Sequence, residues 1–214
     1  MVEITDLRGE FTSRDHVLEI VSAVLLSLAT LASSWSAFQA TRWSGVQAIE
    51  FSQAGSLRVE SSRQTTIAQR KMSIQAGLFV QYAAAKSQGN DTLADFLLKR
   101  FPPELREATA AWMKTDPFTN PNAPGSPFEM EEYRIEELQE AHRLSVEANR
   151  SFETAKIANQ TGDNYVLLTV LFASVLFFSG VAPKFRAFAL RVAMLSFGGV
   201  VFVVAAAILS TFPV

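Results

Sequence analysis

Three apolar blocks constrain the fold of this chain more than any other feature of its sequence. They cover residues 17–38, 164–182 and 192–212, and the only charged side chain inside them is Glu19. A helix needs about 20 predominantly apolar residues to cross the hydrocarbon core of a bilayer, which is about 30 Å thick. Each block is long enough, so the sequence predicts an all-α membrane protein with three transmembrane helices. The first block exceeds the apolar region of a signal peptide, usually about 7–15 residues, and we expect it to be a retained anchor.

The loop between the second and third blocks predicts the orientation of the chain. Residues 183–191 form a short loop whose charges are all positive: Lys184, Arg186 and Arg191. Short loops rich in lysine and arginine stay in the cytoplasm. Residues 1–16, with Arg8 and Arg14, are then a second cytoplasmic segment, and residues 39–163 form an extracytoplasmic domain. The predicted location is the cytoplasmic membrane, with several spans and the main domain outside.

Two charged residues at the ends of the spans have simple explanations in this topology. Glu19 lies close enough to the cytoplasmic end of the first span to be hydrated. Arg191 stands at the start of the third span, where a long basic side chain extends its charge to the interface.

The region between the first two spans has the pattern of two long helices. Residues 42–86 contain no proline, so the first span should continue as one helix to about Ser87, where Gly89-Asn90-Asp91 ends it. Its extramembrane part would reach roughly 70 Å and would need a partner helix. Residues 129–160 supply one, which runs into the second span with a single interruption at Gly162. We expect a long antiparallel helical hairpin with coiled-coil-like packing. The face expected to be buried on the return helix comprises Ile135, Leu138, Ala141, Ser145, Ala148, Phe152, Ala155 and Asn159.

The tip of the hairpin is predicted to hold two short helices and a stiff loop. The helices cover residues 91–100, with Asp91 as N-cap, and residues 104–114. Residues 116–127 contain four prolines, which exclude regular structure, and Ser126 is a candidate cap for the return helix. Four aromatic residues are expected to form either a local core or an exposed contact surface at this tip: Phe101, Trp112, Phe118 and Phe128.

Small and hydroxylated residues form a stripe along the first span. They recur in steps of three and four, and we call them the small-residue seam: Ala23, Ser27, Thr30, Ser34, Ala37 and Thr41. Inside a bilayer, such residues allow close helix packing and interhelical hydrogen bonds. Three interpretations remain open. The seam packs on the other two spans of the same chain, it mediates self-association around an axis, or it lines a hydrated pore.

The composition removes most chemistry from consideration. The chain has no cysteine, two histidines (His16 and His142) and a net charge of −2. Nucleic acid binding would need a clustered basic surface, so we expect no nucleic acid partner. The acidic run at residues 129–147 lacks the Glu-x-x-His di-metal motif, because Gln139 stands three residues before His142. Phosphate-binding loops, serine-hydrolase elbows and zincin motifs are absent as well. We therefore predict no catalytic residue, no cofactor and no metal ligand.

Two sequence stretches carry a resemblance to a known family. Trp35 to Trp43 is WSAFQATRW, and Asn120 to Phe128 is NPNAPGSPF. With these stretches and GDNYVLLTVLFASVLFF, nearly the whole chain resembles a family of small bacterial three-span membrane proteins described only as a domain of unknown function. The resemblance implies a bacterial envelope location, and it implies no catalytic or ligand residues.

These observations predict a homo-oligomeric membrane scaffold or interaction protein of the bacterial envelope, without catalysis. Its expected partners are membrane lipid, further copies of itself and another envelope protein at the tip. The alternative hypothesis is a channel or transport-related pore subunit, with the first transmembrane helix around a central axis.

Overall fold

The computed structural model describes residues 13–213, and every regular element in that range is helical. The α-helices are α1 (Ser13–Ser87), α2 (Asp91–Leu98), α3 (Pro103–Met113), α4 (Glu136–Val181) and α5 (Phe188–Leu209). Short 3₁₀ turns cover Pro127–Glu129 and Ala182–Lys184. The predicted all-α class is thus confirmed. Of the predicted N-terminal segment, residues 1–12 with Arg8 lie outside the described residues, and so does the side chain of Arg14.

Three helical segments are long and apolar enough to cross a membrane: Asp15–Ser87, Glu136–Lys184 and Phe188–Leu209. They contain the first two apolar blocks of the sequence and the third as far as Leu209, which indicates a membrane protein. The described chain divides into two compact units. The membrane-helix unit comprises the described residues up to Phe51 and from Phe152 onward, and the tip unit comprises Ser52–Ser151.

Helix α1 ends where the sequence predicts. It is a single α-helix to Ser87, and Gly89 then adopts a φ of +70°, a conformation that glycine accepts without a steric penalty. The predicted cap of α2 was wrong by one residue. Asn90 is the N-cap, and its side chain accepts a hydrogen bond from the backbone N–H of Leu93 at 3.1 Å. The Asp91 carboxylate instead accepts a hydrogen bond from Lys86 Nζ at 2.7 Å.

The predicted start of the return helix was also wrong. Ser126 precedes only a 3₁₀ turn and makes no capping hydrogen bond, and α4 begins at Glu136. Phe128 and Tyr133 explain the delay, because their rings pack edge to face at a centroid distance of 4.9 Å. Residues five positions apart on an α-helix point about 140° away from each other. A continuous helix would separate these two rings.

Helix α4 passes through Gly162 without the predicted interruption. Gly162 is buried, and a Cβ built there would lie 3.6 Å from the carbonyl oxygen of Ala40 and 3.7 Å from Trp43 Cβ. A Cβ at Gly162 would thus make ordinary van der Waals contact with α1, which shows that α4 packs directly on α1 here within the membrane-helix unit.

The predicted buried face of α4 was half correct. Three alanines at intervals of seven, Ala141, Ala148 and Ala155, are buried as expected. Between these alanines, the buried positions lie one residue earlier than predicted. Leu144, Ser151 and Ala158 are buried. Of the predicted residues, Ser145 and Asn159 are exposed and Phe152 is half-buried. Ile135 is buried, and Leu138 is 48% exposed.

Candidate functional site

The membrane-helix unit has a core built mainly on α4. Its buried side chains recur every three or four residues: Tyr165, Leu168, Phe172, Val175 and Ser179. Helix α5 contributes Leu195, Gly198 and Ala205. The Tyr165 hydroxyl donates a 2.8 Å hydrogen bond to the carbonyl oxygen of Pro213. The C-terminal end of the described chain is therefore tied to α4.

Helix α1 meets this core through small residues, which we call its inner face: Ser22, Ala29, Ser36 and Ala40. The Ser22 hydroxyl donates to the carbonyl oxygen of Ser179 at 2.7 Å. Ala40 packs in the same cluster as Tyr165 and Phe172. A stripe of small residues on α1 thus packs on the same chain, but it is a different stripe from the one that the sequence suggested.

All six residues of the small-residue seam are exposed. In this structure the seam therefore does not pack on the second and third spans of the same chain. Three of its four hydroxyls nevertheless have a hydrogen-bond acceptor within α1. Ser27 donates to the carbonyl oxygen of Ala23 at 2.8 Å, Thr30 to that of Leu26 at 2.7 Å, and Thr41 to that of Ala37 at 3.1 Å. This face of α1 therefore presents small side chains to its surroundings, and most of their hydroxyl groups donate to backbone carbonyl oxygens of the same helix.

Sequence reasoning missed two polar features of this unit. Arg191 was expected to reach the interface, but its Nη1 lies 2.6 Å from Asp15 Oδ1, and both side chains are largely buried. The second feature is Gln39, which is fully buried while both polar atoms of its amide lack a partner within residues 13–213. The signal for the Asp15–Arg191 pair was available, since opposite charges stand at the same predicted end of two spans.

The tip unit is organised around an aromatic core, formed by the buried residues Phe79, Tyr82, Ala85, Ala94, Leu97, Phe101, Leu105 and Trp112. Phe128 packs against it, with its ring 5.7 Å from that of Phe79. The indole N–H of Trp112 donates a 2.7 Å hydrogen bond to the carbonyl oxygen of Pro124. The proline-rich loop is therefore fastened to α3.

The four tip aromatics do not share one role. Phe101 and Trp112 are buried, and Phe128 is half-buried on the core. The local-core interpretation describes these three residues. Phe118 is 58% exposed, although its ring packs edge to face on Trp112 at 5.9 Å. Of the four, only Phe118 offers a substantial contact surface.

Three glutamates of the acidic run, all of them on α4, form ion pairs. Glu137 pairs with Lys71 of α1, and Arg143 pairs with Glu140 and Glu147 at 2.7 and 3.1 Å. Hydrogen bonds from these cations lower the pKa of Glu137 and of Glu140. No group of three or more histidine, aspartate or glutamate side chains in residues 13–213 is arranged to hold a metal ion.

Glu60 has the most strongly shifted carboxylate pKa in the tip unit. Arg63 donates to both of its oxygens, at 2.6 and 2.8 Å, and Gln64 donates at 2.9 Å. The hydrogen bond from Arg63, followed by that from Gln64, lowers the pKa of Glu60 from 4.5 to about 2. Because the folded-state pKa is depressed, the stabilisation is present above pH 4.5 and is lost as the pH falls toward about 2.

We expect Arg63→Gln to raise the pKa of Glu60 toward 4.5, because the largest cause of its depression is then removed. Carboxyl ¹³C shifts of labelled glutamate in the full chain, followed from pH 6 to about 2, measure both values. Arg70→Gln removes the same charge at an exposed position and serves as the control. A Glu60 titration near 4.5 in the unmodified chain would contradict the prediction.

No family model, no curated protein and no solved structure matches this chain. The described residues offer two candidate functional features. One is the exposed small-residue seam on α1, and the other is the aromatic core of the tip unit with Phe118 beside it.

Proposed function

We propose that this chain is a self-associating membrane scaffold without catalysis, in which the small-residue seam of α1 packs against the same seam of further copies. One observation carries the proposal: the seam is exposed in the single chain, while the inner face of the same helix is already covered. Small residues allow transmembrane helices to approach closely, and association in lipid is driven largely by such packing.

The seam can associate at little polar cost. The hydroxyls of Ser27, Thr30 and Thr41 donate to carbonyl oxygens of α1 itself. No donor of theirs is left unpaired when another helix or a lipid chain covers the seam, and leaving one unpaired would be expensive in hydrocarbon. The seam thus combines small side chains with hydroxyl groups that, apart from that of Ser34, already have an acceptor within α1.

We further propose that α1 and α4 pair antiparallel as a hairpin within each unit. In the membrane-helix unit, Ser22 contacts Ser179 and Ala40 contacts Gly162. In the tip unit, the Ser61 hydroxyl donates to the carbonyl oxygen of Ala141 at 2.8 Å. Residue numbers fall along α4 as they rise along α1, which supports the antiparallel direction.

The membrane assignment that goes with this function is the bacterial inner membrane, with residues 39–163 outside the cytoplasm. Lys184 and Arg186 are exposed and support a cytoplasmic position for their loop. Arg191 contributes less to this argument than the sequence suggested, because Asp15 neutralises it. The proposed partners are lipid, further copies of the chain and an envelope protein that contacts the tip unit near Phe118.

The absence of cysteine makes the proposal directly testable, because a single introduced thiol has no competitor. We expect Ser34→Cys chains in liposomes to form disulfide-linked dimers on mild oxidation, since Ser34 lies in the seam. Leu28→Cys is the matched control, because Leu28 is exposed on another side of α1. Equal cross-linking at both positions, or a monomeric mass for the unmodified chain in nanodiscs, would contradict the proposal.

A pore subunit is the alternative function. The specific observation in its favour is that Ser27, Thr30 and Ser34 share one exposed face of α1, as a polar pore lining requires. It predicts ion flux in liposomes that replacement of these three residues by leucine abolishes. A scaffold predicts assembly without flux.

A further inference from the structure

A cavity of about 400 Å³ opens beside the aromatic core of the tip unit. Side chains from α1, from α3 and from the end of α2 line it: Tyr82, Leu98, Lys99, Arg106, Thr109 and Met113. Ligand pockets for small molecules typically have volumes of about 300–1,000 Å³ and combine an apolar lining with a few polar groups. We call this space the tip cavity. It lies entirely within the tip unit and is independent of the small-residue seam.

The polar groups in the wall have unused hydrogen-bonding capacity. Tyr82 is 4% exposed and Thr109 is 1% exposed. Neither hydroxyl has a hydrogen-bond partner within the part of the chain that the structure describes. Burial raises the pKa of the Tyr82 phenol, so this group remains a protonated donor at neutral pH. A buried donor without a partner is costly, and a bound acceptor would satisfy the hydroxyl of Thr109.

Thr109 stands apart from other helical threonines of this chain. Thr30, Thr41 and Thr65 each donate to the carbonyl oxygen four residues earlier. Thr109 does not, although helix α3 offers it the same option. Rotation about χ1 can bring the hydroxyl of a threonine into the position that its methyl group held, and helices accommodate two threonine rotamers. A ligand with an acceptor group can therefore recruit this hydroxyl without a change in the backbone.

Two basic side chains give one part of the cavity wall a positive charge. Lys99 and Arg106 line the cavity, both are exposed, and neither forms an ion pair within residues 13–213. The apolar part of the lining comes from Leu98, Met113 and the Tyr82 ring. An occupant that matches both parts has a compact apolar body and one negative group.

We propose that the tip cavity binds a small organic anion with an apolar body, of the aromatic carboxylate class. The body lies on Tyr82, Leu98 and Met113. The carboxylate accepts from Arg106 and Lys99 and from the hydroxyls of Tyr82 and Thr109. Charge-assisted hydrogen bonds of this kind are the strong ones, and arginine suits a carboxylate because it can donate two parallel bonds. The cavity would thus give the tip unit a ligand in addition to its protein contacts.

The experiment uses the full chain in nanodiscs and the probe 4-(trifluoromethyl)phenylacetate, followed by ¹⁹F NMR. Empty nanodiscs measure partition of the probe into lipid. We expect saturable binding to the chain, and at least tenfold weaker binding of the neutral amide and of the corresponding amine. Arg106→Gln should weaken binding by about tenfold, which is the usual effect of losing a hydrogen bond to a charged group.

Two further variants distinguish a specific loss of binding from a general loss of structure. Ala110 also lines the cavity. Ala110→Phe places a ring there and should abolish binding while circular dichroism stays unchanged. Lys114→Gln removes a positive charge from an exposed residue of the same region outside the lining, and should bind the probe normally. No saturable binding, equal binding of acid and amide, or equal losses in Arg106→Gln and Lys114→Gln would each overturn the proposal.

Discussion

Replacement of Trp112 by alanine is expected to lower the free energy of unfolding of the tip unit by about 3–5 kcal/mol, the usual cost of removing a buried aromatic side chain. Trp112 is 6% exposed and packs edge to face on Phe79 at 5.3 Å. Its indole also holds the carbonyl oxygen of Pro124. The substitution therefore opens a cavity in the aromatic core and releases the proline-rich loop together.

Hydrogen exchange of the full chain in nanodiscs can measure this effect locally. Amide protection in α2 and α3 should fall by about a hundredfold or more, because each 1.4 kcal/mol corresponds to about a tenfold change in the opening equilibrium. Phe118→Ala is the matched control, since Phe118 belongs to the same aromatic contact but is 58% exposed. We expect it to change protection only slightly. Similar losses in both variants would mean that Trp112 is no more central to the core than its exposed neighbour.

The sequence was sufficient to predict features that depend on a strong local difference in residue type, such as an apolar block between polar segments. The three helices that are long and apolar enough to span a membrane follow from apolar blocks with one charge among them, and the end of α1 follows from Gly89. Each of these signals has a single physical interpretation. A hydrocarbon-length apolar run and a positive φ leave few alternatives.

The sequence was insufficient where two adjacent faces of one helix are chemically alike. On α1, Ser22, Ala29 and Ser36 are as small as Ala23, Thr30 and Ala37, yet only the first set is buried. On α4, Leu144 is buried where Ser145 was predicted. On α1 the error is a rotation by one residue, about 100° on a helix. On α4 the predicted alanines stay buried, and only the positions between them lie one residue earlier than predicted. The contact partner decides between such faces, and local periodicity carries no information about that partner.

Long-range polar contacts escaped prediction for a related reason. Asp15 and Arg191 are separated by 176 residues, and their pairing requires α1 and α5 to meet at one end. The start of α4 depended on Phe128 and Tyr133 packing together, which outweighs a capping pattern near Ser126. Tertiary packing overrides local signals of about 1 kcal/mol.

Ala29→Leu and Ala23→Leu together distinguish the two faces of α1. Ala29 is fully buried on the inner face, so three added carbon atoms have no space there. We expect this substitution to lower the stability of the membrane-helix unit by about 1–3 kcal/mol, as overpacking of a filled core does. Unfolding in mixed micelles by increasing dodecyl sulfate, followed by circular dichroism, measures the change.

The same substitution at Ala23 should leave that unfolding transition almost unchanged, because Ala23 is exposed in the single chain. Its effect should be on assembly, since a leucine in the small-residue seam keeps two copies of α1 apart. The mass of the nanodisc particle should then fall toward one chain. The reverse result, with Ala23→Leu unfolding the chain and Ala29→Leu only separating copies, would mean that Ala29 faces the other subunit. In that case the helix is rotated relative to this structure and the seam inferred from the sequence is the intramolecular one.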